Sequence, residues 1–392
     1  MTDTSAQRHW IDRLITHDTT SHLSNLSLIS DVEGWLSSHN IPHWRAPDDD
    51  QTKTNLYALI GPNEAGGVVL SGHTDVVPVA GQAWDSDPFK VVERDQKLFG
   101  RGTSDMKSFL AIALSLVPEM VAAPLKKPII LALSYDEEVG CIGAPRMIER
   151  IVRDLPTPQA VIVGEPTMMK VIDGHKGIAS FRTTVTGFTT HSSQTDRGVS
   201  AVEGAARLIA WISDKRADYK SKSMADKIPG SAPSGFDPDY STMTVNVVRG
   251  GTQLNIMAGE ASFEWDMRLI PDDDQHAILS SFHEFSASLE QQMRTVADQC
   301  RIVTEQMTNA PALAPRPDNP AADLAKALTG HNNTEVVSYA AEAGQFQQAG
   351  LSTVICGPGS IDQAHQANEF IALNQVAAGT QFQQKLIQRL SH

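Results

Sequence analysis

The sequence predicts an α/β protein: a catalytic domain with a mixed, mostly parallel sheet and flanking helices, plus an inserted ferredoxin-like α+β domain. Four short apolar runs bounded by glycine or proline are typical of buried parallel strands. Strand and helix patterns alternate over the first 175 or so residues, which favours crossover helices on such a sheet. A later stretch follows a βαββαβ order, which indicates a ferredoxin-like fold.

This change of pattern divides the chain into three segments. Gly174 and Gly177 bracket a predicted hinge, so residues 1–176 are assigned to the first part of the catalytic domain. Residues 177–311 form the insertion, and residues 312–392 form the second part of the catalytic domain. The middle segment is interpreted as an insertion because candidate ligands lie on both sides of it.

The insertion is expected to contain four strands and two helices. The strands are expected at 178–187, 242–250, 258–269 and 301–308, and the helices at 199–215 and 272–297. Ser200 is the expected cap of the first of these helices. Residues 217–238 are rich in Lys, Ser, Pro and Gly, which predicts a surface loop. The chain is expected to end in a helix at 372–390.

Composition narrows the functional classes. With 392 residues, of which 41% are hydrophobic and 20% charged, the chain can bury a sizeable core without disulfides. Its net charge of −14 argues against nucleic acid or an anionic membrane as a partner. Three widely spaced cysteines indicate free thiols in a reducing compartment. Since neither a secretory pattern nor a membrane-length apolar stretch is found, a cytoplasmic protein is expected.

Candidate metal ligands follow the four apolar runs. His73 and Asp75 follow 67–72, Glu137 and Glu138 follow 128–135, Glu165 follows 160–164, and His365 lies beyond 353–357. Asp105 ends a glycine-containing loop before a predicted helix at 109–116. Ligands of open α/β sheets bind outside the carboxyl ends of the strands, so these side chains are expected to converge.

Five of these side chains form a candidate ligand set: His73, Asp105, Glu138, Glu165 and His365. Imidazole and carboxylate without thiolate suit Zn²⁺, Co²⁺ or Mn²⁺, with Zn²⁺ the first choice. One catalytic zinc keeps an open position and needs fewer ligands, whereas two ions about 3.5–4 Å apart with a bridging carboxylate would use all five. Each residue alone has a simpler explanation as a cap, turn or surface group. Their joint position at strand ends favours a two-metal site.

The remaining two acids suit supporting roles. Glu137 and Glu138 are adjacent, so in extended backbone their side chains point to opposite sides. Glu138 is therefore assigned to metal, and Glu137 to general-base catalysis. A solvated acidic turn is the alternative for this pair. Asp75 follows His73 by two residues, and its carboxylate is expected to hold the imidazole N–H and fix the tautomer.

Other catalytic motifs are incomplete. Gly100 and Gly102 lack the third glycine of a dinucleotide fingerprint. The chain has neither a Gly-x-x-x-x-Gly-Lys-Ser/Thr loop nor a Gly-x-Ser-x-Gly nucleophile elbow. The sequence therefore does not favour nucleotide binding or a serine nucleophile.

With these residues collected, nearly the whole chain resembles the co-catalytic zinc aminoacylase and carboxypeptidase family. The resemblance is carried by stretches 71–78, 100–107, 136–140 and 164–167 and by His365. Within the family, stretches 174–177, 191–199 and 357–366 are most similar to the branch that deacetylates N-acetyl-L-ornithine in arginine biosynthesis. The resemblance implies a metal-dependent hydrolase of Nα-acyl amino acids.

The resemblance also assigns the ligands. It implies that Asp105 bridges two ions, with His73 and Glu165 completing one site and Glu138 and His365 the other. A cis peptide bond is implied after Asp105. The insertion is implied to be a lid or dimerisation domain, and the protein a homodimer.

Three residues of the insertion are assigned to substrate by resemblance. His191 is similar to the histidine that reaches across the dimer to stabilise the oxyanion, although a polar loop residue explains it equally well. Arg268 matches the arginine that binds the substrate α-carboxylate, with Asn255 as its companion. The alternatives are a surface charge pairing with Asp266 or Glu264 for Arg268, and a turn residue for Asn255.

Glu342 is a candidate for specificity. It lies in a stretch that resembles the Thr-Glu-Ala of the deacetylases, with Ala341 in place of threonine, and would face the distal ammonium of the substrate. A first-turn acid favoured by the helix dipole is the alternative. Ser108 is a second departure, since glycine is usual there, and it puts the packing of the metal loop in doubt.

Three functions follow from these residues. The first is deacylation of an Nα-acyl amino acid, N-acetyl-L-ornithine above all. The second is the same chemistry on another substrate, as in a succinyl-diaminopimelate desuccinylase, a general aminoacylase or a dipeptidase. The third, a non-catalytic protein that keeps the fold, is disfavoured because all five ligands and the base are present.

Overall fold

A computed structural model describes residues 4–225 and 235–392 of the chain. These residues form two compact units. The first unit comprises Met1–Gly174, Leu313–Val336 and Ala341–His392, and the second comprises His175–Ala312 and Val337–Ala340.

The elements of the described residues alternate over most of the first unit. The helices are α1 (Ser5–Ile15), α2 (Leu26–Ser38), α3 (Lys107–Ser115), α4 (Val117–Ala122), α5 (Ala144–Asp154), α6 (Ala201–Ala225), α7 (Gln275–Arg294), α8 (Pro320–Thr329), α9 (Ala343–Gln348) and α10 (Leu373–Leu390). The strands are β1 (His43–Pro47), β2 (Thr54–Ile60), β3 (Val68–His73), β4 (Val92–Arg94), β5 (Lys97–Phe99), β6 (Ile129–Ser134), β7 (Ala160–Pro166), β8 (Ile172–His175), β9 (Gly177–Thr186), β10 (Thr242–Gly250), β11 (Glu260–Leu269), β12 (Arg301–Ala310), β13 (Glu335–Val337), β14 (Thr353–Gly357) and β15 (Phe370–Ala372).

The first unit is built on an eight-stranded mixed sheet in the order β1-β2-β6-β3-β7-β14-β8-β13. The four central strands β6, β3, β7 and β14 run parallel, whereas β1 and β2 on one side and β8 on the other pair antiparallel. Every residue of the four central strands is buried, because helices cover both faces of a parallel sheet. These strands are the four apolar runs of the sequence, so the predicted sheet is confirmed.

Helix α3 packs closely against the centre of this sheet. Its residues from Lys107 to Leu114 are all buried. A Cβ added at Gly164 of β7 would lie 2.1 Å from Cγ of Phe109, so only glycine allows this approach. The contact fixes α3 beside the residue that follows Gly164, which is the candidate ligand Glu165.

The second unit is a ferredoxin-like domain. Its four strands form an antiparallel sheet in the order β10-β11-β9-β12, and α6 and α7 supply the two helices of the βαββαβ sequence. In the core, Trp265 stacks on Phe181 with 4.6 Å between ring centroids and lies 4.8 Å from the ring of Phe282. The indole N–H of Trp265 donates to the Thr183 hydroxyl at 3.1 Å, which satisfies its buried polar group. The predicted fold class is therefore confirmed for both units.

The ends of the two long helices differ from expectation. Helix α6 begins after Ser200, whose hydroxyl accepts from the N–H of Glu203, but it continues to Ala225. Residues 217–225 are therefore helical, not a loop, because lysine and serine in this stretch are tolerated on an exposed helix face. Residues 226–234 of the predicted loop lie outside the described residues. Helix α7 is shorter than predicted, since Asp274 caps it by accepting from the N–H groups of His276 and Ala277.

No helix among the described residues combines the length and hydrophobicity that crossing a bilayer requires.

Candidate metal centre

The fold brings the five predicted ligands to one edge of the parallel sheet. His73 is the last residue of β3, Glu165 lies near the end of β7, and Glu138 follows β6. Asp105 lies in the loop before α3, and His365 lies in the loop after β14. The position outside the carboxyl ends of parallel strands is the usual place for a ligand site in such sheets.

The first ligand group consists of His73, Asp105 and Glu165. His73 Nε2 lies 3.0 Å from Asp105 Oδ1 and 3.9 Å from Glu165 Oε1. All three side chains are buried, and their ligand atoms lie within 4.8 Å of one another. Glu165 Oε1 has no hydrogen-bond partner among the described residues. A buried carboxylate oxygen without a partner is costly, and a cation at this position would satisfy it.

The second ligand group shares Asp105 with the first. His365 Nε2 lies 3.2 Å from Asp105 Oδ2 and 2.9 Å from Glu138 Oε2. Asp105 therefore presents Oδ1 to one group and Oδ2 to the other, which is the arrangement of a bridging carboxylate. The His365 side chain is 55% exposed, so this group opens towards solvent while the first is enclosed.

The electrostatics of both groups favour cations. Burial raises the pKa of Glu138 to about 7, and it raises the pKa of Glu165 well above its usual range. Burial also opposes ionisation of Asp105, but hydrogen bonds from His365 and His73 outweigh it and lower its pKa. The pKa of His365 rises to about 10 through its contacts with Asp105 and Glu138. Crowded acids of this kind are stabilised by divalent cations, and the mixture of imidazole and carboxylate suits zinc, cobalt or manganese.

Glu137 lies beside these groups but belongs to neither of them. Its Oε1 faces the Cys141 thiol at 3.4 Å, and burial raises its pKa well above the usual range, with the charges of Glu138 and Asp105 adding to the shift. A carboxyl group with a raised pKa next to a metal-ligand cluster is what proton transfer at neutral pH requires.

Asp75 supports the cluster in a different manner from the one expected. His73 Nδ1 lies 2.9 Å from the main-chain oxygen of Asp75, while the Asp75 carboxylate is 3.5 Å away. The tautomer of His73 is therefore set mainly by a carbonyl group. The carboxylate accepts from the N–H groups of Glu137 and Glu138 at 3.2 Å each and from the Ser21 hydroxyl at 2.8 Å. It thus holds the two glutamates beside β3.

The loop that carries Asp105 accommodates its unusual residue. The peptide bond between Asp105 and Met106 is cis, as the resemblance implies. Ser108 is buried, and its hydroxyl donates to the main-chain oxygen of Thr103 at 2.5 Å. The serine therefore adds a hydrogen bond inside the loop, with its side chain accommodated in the packing.

Glu342 is completely buried in the first unit. Burial raises its pKa to about 7, with smaller influences from Ser134, His73 and Asp75. Neither carboxylate oxygen reaches hydrogen-bond geometry with a group in the described residues, and Ser134 makes only a long contact with Gly72 O at 3.4 Å. An unpartnered buried carboxylate is a candidate for binding a cationic group.

The three residues assigned to substrate in the insertion lie in the second unit. His191 is exposed, and its Nδ1 lies 2.8 Å from the Ser193 hydroxyl. Arg268 lies on β11, where its Nε donates to Asp266 at 3.2 Å, and 38% of the side chain is exposed. Asn255 is exposed in a turn, and its main-chain oxygen accepts from Ser192. Their roles towards substrate stay predictions.

Sequence reasoning missed two residues near the ligands. Cys141 follows Glu137 by four residues and contacts its carboxylate, yet an isolated cysteine has several simpler explanations. Glu369 accepts hydrogen bonds from the loop that carries Asp105, and its position beside apolar Phe370 resembles an ordinary strand start. Neither residue has a sequence pattern that would have revealed its contacts.

Comparison with known proteins agrees with this geometry. Residues 69–389 match the family described as Peptidase family M20/M25/M40. Acetylornithine deacetylase of Salmonella paratyphi B is 32% identical to the chain over 353 residues, which is 89% of this chain and 86% of that protein.

Solved structures of two proteins share the fold. A metallo-carboxypeptidase of the M20 family from Sulfolobus solfataricus has a TM-score of 0.73 at 16% identity, with 100% of each chain covered. The Bacillus subtilis protein YXEP, described as a dinuclear metal-binding peptidase of the M20 family, has a TM-score of 0.63 at 14% identity, with 98% of each chain covered. The family and enzyme class inferred from the sequence are confirmed: the chain belongs to peptidase family M20/M25/M40 and is a metallohydrolase of linear amides.

Proposed function

We propose that this enzyme deacylates Nα-acyl amino acids in the cytoplasm and that its main substrate is N-acetyl-L-ornithine, an intermediate of arginine biosynthesis. The observation that carries the chemistry is the pair of ligand groups sharing Asp105, with Glu137 beside them and outside both. The choice of substrate is supported by the similarity to acetylornithine deacetylase of Salmonella.

Two divalent ions fit the ligand groups, with Zn²⁺ as first choice and Co²⁺ or Mn²⁺ as alternatives. His73 and Glu165 would hold one ion, Glu138 and His365 the other, and Asp105 both. When bound, such a pair supplies Lewis acidity to the amide carbonyl and lowers the pKa of a nearby water.

Glu137 is the proposed proton carrier. Its carboxylate takes one proton from the attacking water as the new C–O bond forms at the amide carbon. It then delivers that proton to the amide nitrogen as the C–N bond breaks, which releases the amine and the carboxylate product. The raised pKa of Glu137 suits a group that must both accept and return a proton.

The remaining residues are proposed to bind the two ends of the substrate. Arg268 would form a bidentate pair with the α-carboxylate, and Asn255 would support it. Glu342 would pair with the distal ammonium group. In a homodimer, His191 of a second copy would donate a hydrogen bond to the carbonyl oxygen as negative charge develops there.

A substrate panel with defined metal loading tests the proposal. We expect chelated protein to be inactive and protein reloaded with two equivalents of Zn²⁺ or Co²⁺ to hydrolyse N-acetyl-L-ornithine with the highest kcat/KM. Succinyl-diaminopimelate, N-acetyl-L-methionine and a dipeptide serve as competitors in separate assays. A higher kcat/KM for one of these three would identify a desuccinylase, a general aminoacylase or a dipeptidase and reject the proposed substrate.

Glu342→Gln is expected to lower the preference for a cationic side chain. Loss of a buried hydrogen-bonded charge pair costs about 1.5–3 kcal/mol, which corresponds to roughly 10–100-fold in kcat/KM for N-acetyl-L-ornithine. N-acetyl-L-methionine has no distal ammonium, so its kcat/KM should change little. The exposed Glu335, which pairs with Lys170, provides the control variant Glu335→Gln. An equal loss on both substrates would reject the specificity role.

A further inference from the structure

A buried carboxylate lies beneath the loop that carries Asp105. Glu369 Oε1 accepts from the N–H groups of Ser104 at 2.8 Å and Asp105 at 3.0 Å. Its Oε2 accepts from the N–H of Gly102 at 2.9 Å and from Arg101 Nη1 at 2.8 Å. Four donors thus meet one side chain that is 1% exposed. An ionised carboxylate is the side chain that accepts from four donors at once.

Strand pairing brings Glu369 to this place. Strand β15 begins at the next residue and pairs antiparallel with β5, with Phe370 opposite Phe99. The main-chain oxygen of Glu369 accepts from the N–H of Gly100 at 3.0 Å, which continues the ladder into the loop. The segment after His365 and the segment before Asp105 are therefore joined by a sheet, although they are more than 260 residues apart in the sequence.

A second branch leads from Glu369 to His365. Arg101 is also 1% exposed, and its Nη2 donates to Gln82 Oε1 at 2.5 Å. Gln82 Nε2 in turn donates to the main-chain oxygen of His365 at 2.8 Å. The Trp84 indole N–H also donates to Gln82 Oε1, at 3.1 Å, and holds the amide in this orientation. We call Glu369, Arg101 and Gln82 the Glu369 network.

We propose that the Glu369 network fixes the distance between Asp105 and His365 and thereby sets the metal affinities of the two ligand groups. The inference rests on the proposed metal centre and extends it to residues that touch no ligand atom. Both ligands lie on loops, so neither is placed by a regular element. Hydrogen-bond partners behind metal ligands commonly change metal affinity about 10–100-fold when they are removed.

The two branches of the network predict different effects. Glu369 contacts the loop of Asp105, which serves both ligand groups, so its loss should weaken both ions. Gln82 contacts the main chain of His365, which serves only the group with Glu138, so its loss should weaken one ion. A network that only stabilises the fold would change the melting temperature and leave both affinities unaltered.

Chelator competition on the Co²⁺-loaded full-length protein tests the first branch. The two dissociation constants are followed by the visible absorption of bound Co²⁺. Glu369→Gln places an amide NH₂ against main-chain N–H groups, so we expect both constants to rise about 10–100-fold and the absorption bands to shift. Asp173→Asn, which alters another buried carboxylate in the first unit, is the matched control and should leave both constants unchanged.

Gln82→Ala tests the second branch at a half-buried position, where folding does not depend on a buried charge. We expect about a tenfold rise in one Co²⁺ dissociation constant and no change in the other. Gln384→Ala removes a comparable half-buried glutamine that bonds to Glu119, and it should change neither constant. Unchanged constants in Gln82→Ala would overturn the proposal, even if Glu369→Gln failed to fold. A wild-type protein that binds no Co²⁺ would instead refute the metal centre itself.

Discussion

Replacing Glu137 by glutamine is expected to leave both metal ions bound and to reduce kcat by about 100–10,000-fold, the usual contribution of a positioned general acid–base group. The amide of glutamine cannot accept the proton of the attacking water or return it to the leaving nitrogen. Because Glu137 belongs to neither ligand group, the metal content should stay at two ions per chain. Metal analysis after gel filtration and initial rates with N-acetyl-L-ornithine measure the two quantities on one sample.

The exposed Glu149 provides a matched control for this change, since Glu149→Gln alters a helix-surface carboxylate whose side chain is 75% exposed. This control should keep full activity. Two outcomes contradict the role of Glu137: unaltered turnover in Glu137→Gln, or turnover that falls only in proportion to lost metal. The second outcome would make Glu137 a ligand.

Asp105→Asn should lower the affinity of at least one ion by more than about 100-fold, beyond the range typical of groups that only support a ligand. Asparagine keeps one oxygen but turns an NH₂ group towards one ligand group, so it cannot bridge. It also removes the negative charge that both His73 and His365 face at 3.0 and 3.2 Å. Metal content after dialysis against a weak chelator gives the measurement. Activity should fall with the loss of the ion.

Asp173→Asn again separates this effect from the general loss of a buried carboxylate. If Asp105→Asn kept two tightly bound ions while Asp173→Asn did the same, Asp105 would not be the bridge. The shared position that the geometry gives to its two oxygens would then have to belong to a water or to another acid.

The centre of the sheet and the metal ligands could be predicted because both depend on local sequence. Each of the strands β3, β6, β7 and β14 is a continuous apolar run, and the residue type at its end shows what lies at the sheet edge. The five ligands were found in this way without knowledge of which strands are neighbours. Their division into two groups came from the family resemblance, and the contacts of Asp105 agree with it.

The supporting contacts could not be predicted because they join side chains to the main chain of distant segments. Glu369 is marked by no pattern, since its partners are N–H groups that every residue possesses. The carboxylate of Asp75 was expected to serve His73 and instead accepts mainly from the main chain of Glu137 and Glu138. The close approach of Phe109 to Gly164 likewise depends on tertiary packing. The length of α6 was missed because polar composition does not distinguish an exposed helix from a loop.

The ferredoxin-like unit begins and ends with adjacent strands. Ile178 on β9 lies opposite Ala310 on β12, so the incoming and outgoing chain are neighbours. A segment whose two ends lie side by side can be exchanged, enlarged or trimmed during evolution without stretching its host, which is why domain insertions are tolerated at such places. The hydrolytic chemistry and the part of the chain carrying His191, Asn255 and Arg268 can therefore diversify at different rates, and new substrate preferences can arise while the ion-binding residues stay the same.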